Sequence, residues 1–244
     1  MQDKRVALIT GASGGIGQAC AKELSQAGYQ VVVHYRSGKS KAEELCQQLT
    51  GQALALKADL TIESECQELV KVTKKEFGRI DVLVNNAGIN TDQVITFAKP
   101  DDFDKIIAIN LKSVFLLSKL CSKVMIRQKF GRIINMSSIV GYTGNGGQSM
   151  YGATKGAITA FTKSIAVDLA PFQITANCIA PGFVATEMTD QLPEDVKKSI
   201  LSSIPLGRMG TPEEIAGGVA FLASEKASYI TGSTLHINGG MYKT

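Results

Sequence analysis

The sequence predicts an α/β fold: a Rossmann-like, doubly wound parallel sheet of about seven strands with helices on both faces. Three observations predict it. Short apolar runs alternate with helix-length stretches along the whole chain, the pattern of strand–helix–strand units. The first apolar run passes directly into Thr10-Gly-Ala-Ser-Gly-Gly-Ile-Gly17 and then into a helical stretch, which is where such folds receive a pyrophosphate. With 244 residues and 44% hydrophobic content the chain can fill one large core, so residues 1–244 are expected to form a single domain.

Arg5–Thr10 is the first expected strand, and its run Val6 to Ile9 suits a strand buried on both faces. Gly11, Gly15 and Gly17 follow as G-x-x-x-G-x-G. Glycines there permit a tight turn and a close approach of backbone to phosphate, and the helix Ile16–Ala27 then presents free N–H groups and a positive dipole end. Next come strand Gln30–Tyr35, helix Lys39–Leu49, strand Ala53–Lys57 and helix Ile62–Phe77. Strand Ile80–Asn85 leads to one long helix, Asp101–Arg127, and then to strand Arg132–Ser137 and helix Ser149–Leu169. Strand Thr175–Ile179, helix Pro212–Ala223 and strand Thr234–Ile237 complete the alternation. The irregular stretch Pro181–Pro205, punctuated by Pro193 and Pro205, reads either as a loop with a short helix or as a lid over the cleft, residues 181–205. Ligands are expected at the carboxyl ends of the strands, near the point where strand order reverses.

Composition narrows the classes. No apolar run approaches the roughly 18 residues of a membrane span, so no membrane association is expected. Met1-Gln-Asp-Lys-Arg5 leads straight into the first strand and leaves no room for a signal peptide. Cys20, Cys46, Cys66, Cys121 and Cys178 are scattered, with no C-x-x-C and no Cys/His cluster. They predict neither a metal site nor a disulfide framework and fit thiols in a reducing cytoplasm. A net charge of +4 suits a polyanionic cofactor without calling for nucleic acid. His34 and His236 stand apart from any nucleophile and read as structural.

The chemistry is carried by the middle of the chain. Tyr151 and Lys155 lie four residues apart on an expected helix, so they share a face. Ser138, thirteen residues upstream, is delivered from the end of the preceding strand. A phenol, an ammonium and a hydroxyl together can move a proton to or from an alcohol oxygen. Tyr35 and Lys39 repeat the spacing, but they follow an apolar run and flank Ser37-Gly38, which is a strand end and turn. A nucleotide loop at one end and a Tyr/Lys helix in the middle argue for a redox enzyme.

Thr10–Gly17, Asp59-Leu60, Asn85-Asn-Ala-Gly88, Asn110, Ser138, Tyr151/Lys155 and Pro181-Gly182 together resemble the short-chain dehydrogenase/reductase family over essentially the whole chain. Within it, Gly144-Asn-Gly-Gly-Gln148, Pro181-Gly-Phe-Val-Ala-Thr186, Ile204-Pro-Leu-Gly-Arg208 and Asn238-Gly-Gly-Met-Tyr242 are most similar to the bacterial 3-oxoacyl-thioester reductases of fatty-acid synthesis. The resemblance implies that Tyr151 donates a proton, that Lys155 lowers the phenol pKa and holds the nicotinamide ribose, and that Ser138 orients the substrate carbonyl. It implies that Asn110 holds a water linking Lys155 to solvent. It selects Ser138 over its neighbour Ser137, since strand alternation turns only one of them to the cleft. The implied cofactor site comprises Gly11, Ala12, Ser13, Gly15, Ile16, Gly17, Arg36, Ser37, Asp59, Leu60, Asn86, Gly88, Tyr151, Lys155, Val184 and Thr186. Asp59 would accept from the adenine amino group; otherwise it caps the following helix, a role Thr61 could equally fill.

Cofactor choice turns on Val33-His-Tyr-Arg-Ser37. Tyr35 takes the place where NAD users commonly put an acid, and Arg36 follows, so NADP(H) is expected. Gly14 departs from the Arg or Lys that many NADP-dependent relatives carry there, which leaves Arg36 and Ser37 to recognise the phosphate. Phe172 likewise replaces the basic residue that carrier-protein reductases commonly show, leaving Arg127, Lys129 and Arg132 to steer an acidic carrier. The expected partner is therefore an acyl-carrier-protein or acyl-CoA thioester. An acetoacetyl-CoA reductase, a dehydrogenase of another secondary alcohol, and a non-catalytic nucleotide-binding regulator are the rival readings; the last has no use for Ser138, Tyr151 and Lys155. A homotetramer is expected from the two long helices and the apolar tail residues Met241 and Tyr242.

Overall fold

The computed structural model describes residues 4–186, Thr189 and residues 194–243. Seven parallel strands form one sheet: β1 Val6–Ile9, β2 Gln30–Tyr35, β3 Ala53–Lys57, β4 Val82–Asn85, β5 Gly131–Met136, β6 Ile174–Pro181 and β7 Thr234–Ile237, in the order β3-β2-β1-β4-β5-β6-β7. The chain builds outward from β1 to β3, then crosses back to lay β4 on the other side of β1. That reversal opens a crevice at the carboxyl ends of β1 and β4, where ligands bind in such sheets. Register is set by pairs such as Leu8↔Val32 and Leu8↔Leu83.

Helices α1 Gly15–Gln26, α2 Lys39–Gln48 and α9 Pro212–Ala223 cover one face. Helices α3 Glu63–Phe77, α5 Ser113–Gln128 and α7 Ser149–Leu169 cover the other. Strand alternation divides the core accordingly. Ala7, Ile9, Val82, Val84, Ile134 and Met136 join the cluster under α1 and α9. Val6, Leu8, Leu83 and Ile133 join the cluster under α3 and α5. These strands are apolar on both sides because both sides are covered. Among the described residues no helix is long and apolar enough to cross a membrane. The five cysteines are free thiols, and four of them are buried.

One expectation is corrected. The single helix Asp101–Arg127 is broken: α4 Pro100–Ile107 passes into a π turn, Ala108–Lys112, before α5 begins. Asn110 sits in that turn with its side chain bonded to the main chain of Ile89, which draws the turn toward the end of β4. A π turn inserts one residue without altering the apolar pattern much, so periodicity does not reveal it. In the stretch Pro181–Pro205, β6 runs through Pro181 and a short helix, α8, occupies Glu194–Ser203, as the reading of a loop with a short helix expects. Residues 187, 188 and 190–193 of the expected lid lie outside the described residues. A short helix α6, Val140–Thr143, links the end of β5 to α7.

Candidate active site

The nucleotide end of the site is assembled by hydrogen bonds between loops. Thr10 Oγ1 accepts from the N–H groups of Asn86 and Ala87, each at 2.9 Å. Asn86 Nδ2 donates in return to the carbonyls of Thr10 at 3.0 Å and Gly11 at 3.1 Å. The turn after β1 is thus tied to the turn after β4, across the crevice. Gly11 has φ +61°, and a Cβ there would lie 3.0 Å from Ala87 Cα. A Cβ on Gly17 would come within 2.6 Å of Asn86 Nδ2 and 2.9 Å of Ala12 Cα. Only glycine fits both places. Gly14 precedes α1 without a capping side chain, so the first-turn N–H groups face the cleft, where the dipole favours an anion.

A cleft of about 190 Å³ lies there, lined by Gly11, Ser13, His34, Arg36, Ser37, Asp59, Leu60, Gly88 and their neighbours. This brings together residues from the ends of β1, β2, β3 and β4. Ala12 and Ile16 join the core under α1 and α9, and Leu60, which also lines the cleft, joins the core under α3 and α5; Ala12 and Leu60 are buried. Gly15 opens α1, and a Cβ on it would meet Thr186 Cγ2 at 3.8 Å, which places Thr186 over the loop. Val184 is buried and pairs with Gly210. Asp59 does not cap α3, whose first turn has no side-chain cap. Its carboxylate instead accepts from the N–H of Thr61 at 2.9 Å and from the Thr61 hydroxyl at 2.6 Å. Those bonds, with Arg36 and His34 contributing less, hold it below the usual carboxylate range.

His34 does more than fill space. Its Nδ1 accepts from the Gly11 N–H at 3.1 Å, and its Nε2 bonds the Ala58 carbonyl at 3.0 Å. The ring is therefore the neutral Nε2–H tautomer, bridging the glycine loop to the end of β3. Burial lowers its pKa, against weaker opposing effects from Ala58 and Asp59. The signal available in the sequence was a lone polar residue inside Val31-Val-Val-His-Tyr35: a buried imidazole needs two partners.

Ser138, Tyr151 and Lys155 lie beyond this cleft and do not line it. Ser137 and Ser138 have separated as strand alternation demands. Ser137 Oγ points back into α7, donating to the Lys155 carbonyl at 3.0 Å. Ser138 Oγ accepts from the Val140 N–H at 3.3 Å and lies close enough to the Tyr151 phenol to favour its ionised form. Lys155 is buried, donates to the Met136 carbonyl at 2.7 Å, and lies over the Tyr151 ring at 5.5 Å from its centre. Burial pushes its pKa down to about 8. Burial also raises the phenol above its ordinary 10, with Ser138 opposing and Asp92 reinforcing. Both groups are desolvated, and desolvation favours the neutral form of each. Asn110 accepts from the Ile89 N–H at 2.8 Å and donates to the Ile89 carbonyl at 2.9 Å and to Thr154 Oγ1 at 3.2 Å. Its side chain is thus committed to holding the Gly88 wall. A Cβ on Gly88 would stand 3.3 Å from Asn110 Oδ1 and 3.7 Å from Lys155 Nζ.

The basic trio does not survive as a trio. Arg127 and Lys129 are exposed, but Arg132 is only 3% exposed, with Glu225 beside it and its guanidinium 4.4 Å from the centre of the Phe130 ring. Arg5 stacks on the same ring at 4.1 Å and pairs with Glu225. Phe172 is 39% exposed. Among the described residues no group of His, Cys, Asp or Glu could hold a metal ion.

A family model described as enoyl-(acyl carrier protein) reductase matches residues 11–242. The 3-oxoacyl-(acyl-carrier-protein) reductase of Haemophilus influenzae is 46% identical over 242 residues, covering 99% of each chain. That of Synechocystis sp. is 45% identical over 241 residues, covering 97% of this chain and 96% of the relative. That of Staphylococcus aureus is 44% identical over 245 residues, covering 99% of this chain and all of the relative.

Proposed function

The chain belongs to the short-chain dehydrogenase/reductase family, and we propose that within it the protein reduces a 3-oxoacyl thioester, carried on acyl-carrier protein or CoA, to the 3-hydroxyacyl thioester of fatty-acid synthesis, with NADPH as reductant. The observation that carries the reading is the Ser138–Tyr151 hydroxyl pair beside a buried Lys155. Members of the family use a nicotinamide cofactor, and this chain fits one. The glycine turn is held tight where a Cβ would collide with Ala87 or Asn86, and Arg36 and Ser37 line the adenosine end without an acid in the place that would repel a 2′-phosphate.

A reduced nicotinamide held at this site would supply hydride for the ketone carbon. The chain's own residues handle the oxygen. Ser138 and Tyr151 donate hydrogen bonds to it, and Tyr151 passes its proton to the alkoxide as it forms. A phenol held above 10 is fully protonated at neutral pH, which is the state a proton donor needs. Lys155, poised at about 8, exchanges protons readily near neutrality and can restore the one that Tyr151 gives up. Asn110 fixes the Ile89 and Gly88 backbone beside that ammonium.

The family model's description favours a second reading, reduction of the carbon–carbon double bond of an enoyl thioester. The relatives named above, each a 3-oxoacyl-(acyl-carrier-protein) reductase, support the first. Turnover measured by loss of NADPH absorbance separates the two. Acetoacetyl-CoA or an acetoacetyl carrier-protein thioester is the expected substrate; consumption of crotonyl thioester alone, or of neither, overturns the proposal. Arg127 and Lys129 are the exposed bases for an acidic carrier. We place the reaction in the cytoplasm on the strength of the free thiols. A homotetramer is part of the same proposal, and a monomer mass by light scattering at micromolar concentration would refute it.

A further inference from the structure

One polar cluster beside the site has no part in the chemistry above. It joins residues 89–93, after β4, to residues 144–148, before α7. The Gln93 N–H donates to the Gly147 carbonyl at 2.7 Å. Gln148 Nε2 donates to Asp92 Oδ1 at 2.7 Å, and Asn90 Nδ2 donates to the same oxygen at 2.8 Å. Asn145 Nδ2 donates to Gln148 Oε1 at 2.9 Å, so Gln148 is held at both ends of its amide. Gln148 is the residue before the first turn of α7, three positions ahead of Tyr151, and its carbonyl accepts the Gly152 N–H at 2.8 Å. The other loop is anchored in turn, because Ile89 is gripped by Asn110. A continuous set of contacts therefore runs from the π turn through Asp92 to the start of the helix that carries the phenol.

Exposed polar bonds of this kind add little to stability, and a chain needing only a loop here has no use for a carboxylate receiving two amides. We propose that Asp92 is a positioning residue: through Gln148 it holds the first turn of α7, and with it Tyr151, in place against Ser138. This rests on the role proposed above for Tyr151. The groups facing the phenol are Ser138 from the end of β5, Lys155 from its own helix and Asp92 from the loop after β4; Cys178, on β6, couples to Lys155. The direction in which Asp92 moves the phenol agrees with the proposal, since a like charge opposes ionisation.

The test compares Asp92→Ala, Asp92→Asn, Gln148→Ala and the Asp92→Ala/Gln148→Ala double variant in the full-length protein. Positioning predicts that Asp92→Ala lowers kcat by about tenfold with NADPH affinity and melting temperature unchanged, that Gln148→Ala does the same, and that the double variant is no worse than either. Asp92→Asn keeps an acceptor for Gln148 and recovers most of the lost kcat. A second readout needs no substrate. The ultraviolet difference titration against Tyr151→Phe, which isolates ionisation of that phenol, should show a lower midpoint in Asp92→Asn than in wild type. Wild-type kcat in Asp92→Ala, additive losses in the double variant, or an unmoved midpoint in Asp92→Asn each overturns the proposal. If wild type turns over no 3-oxoacyl thioester, it is the reading of substrate that fails; the titration still decides whether Asp92 acts on the phenol.

Discussion

Replacing Lys155 by methionine separates what the fold needs from what the reaction needs. The side chain is 4% exposed and its pKa falls from 10.5 to about 8 because burial penalises the charge. At neutral pH the folded protein bears that penalty in full, roughly 3 kcal/mol at 1.36 kcal/mol per pKa unit. Methionine has a similar length and removes the charge, but it leaves the Met136 carbonyl without its 2.7 Å donor, which costs about 1–3 kcal/mol. The two effects nearly offset, with the balance toward stabilisation. Lys155→Met should therefore be inactive yet at least as stable as wild type in urea at pH 7. The pH dependence has a definite sign. A depressed lysine binds its proton more weakly folded than unfolded, so wild-type stability carries the penalty below pH 8 and sheds it as pH rises from about 8 toward 10.5. The stability difference between variant and wild type should move steadily in favour of wild type across that window. A variant destabilised by more than about 2 kcal/mol at pH 7, although relief of the charge penalty should offset the orphaned carbonyl, or a difference that is flat from pH 7 to 10, would refute the reasoning.

Three further outcomes concern the cofactor. Arg36→Ala should raise the NADPH Michaelis constant by about ten- to a hundredfold, as expected for one charge-assisted contact, leave NADH nearly unchanged, and lose part of its effect in high salt; equal harm to both cofactors would dismiss Arg36. A Cβ on Gly14 meets nothing within 4 Å, so Gly14→Arg should sharpen the preference for NADPH, and an unchanged cofactor ratio would count against a phosphate at that end. His34→Phe should weaken NADPH binding by roughly five- to thirtyfold, the equivalent of about 1–2 kcal/mol for a lost buried acceptor; in wild type burial lowers the folded imidazole's pKa, so its contribution to stability is present above pH 6.5 and is lost as pH falls below it, and urea unfolding across pH 5–8 showing the same pH dependence in wild type and His34→Phe would contradict the bridge.

Most of the architecture was legible in the chain because parallel strands covered on both faces must be short and apolar, and the helices between them must be amphipathic. The glycine turn was legible because a missing Cβ is visible in sequence while the collision it avoids, against Ala87 and Asn86, follows from the fold. What escaped depends on partners distant in sequence. The π turn at Ala108–Lys112 follows from Asn110 reaching Ile89, which no periodicity reports. Arg132 looked like a surface base and is instead buried against Phe130 because Glu225, more than ninety positions later, comes to meet it. The burial of Tyr151 and Lys155 also escaped, because helical spacing gives adjacency and not solvation.

The central claim, that Tyr151 delivers the proton to a 3-oxoacyl thioester, is tested most directly by Tyr151→Phe assayed with acetoacetyl-CoA and NADPH beside a direct measurement of NADPH affinity. The ring is retained and only the transferred proton is lost. The account predicts a fall in kcat of about 10²–10⁴-fold, the usual worth of a general acid, with NADPH affinity within about twofold of wild type. A variant keeping more than about a tenth of the wild-type rate, well outside that range, would contradict it.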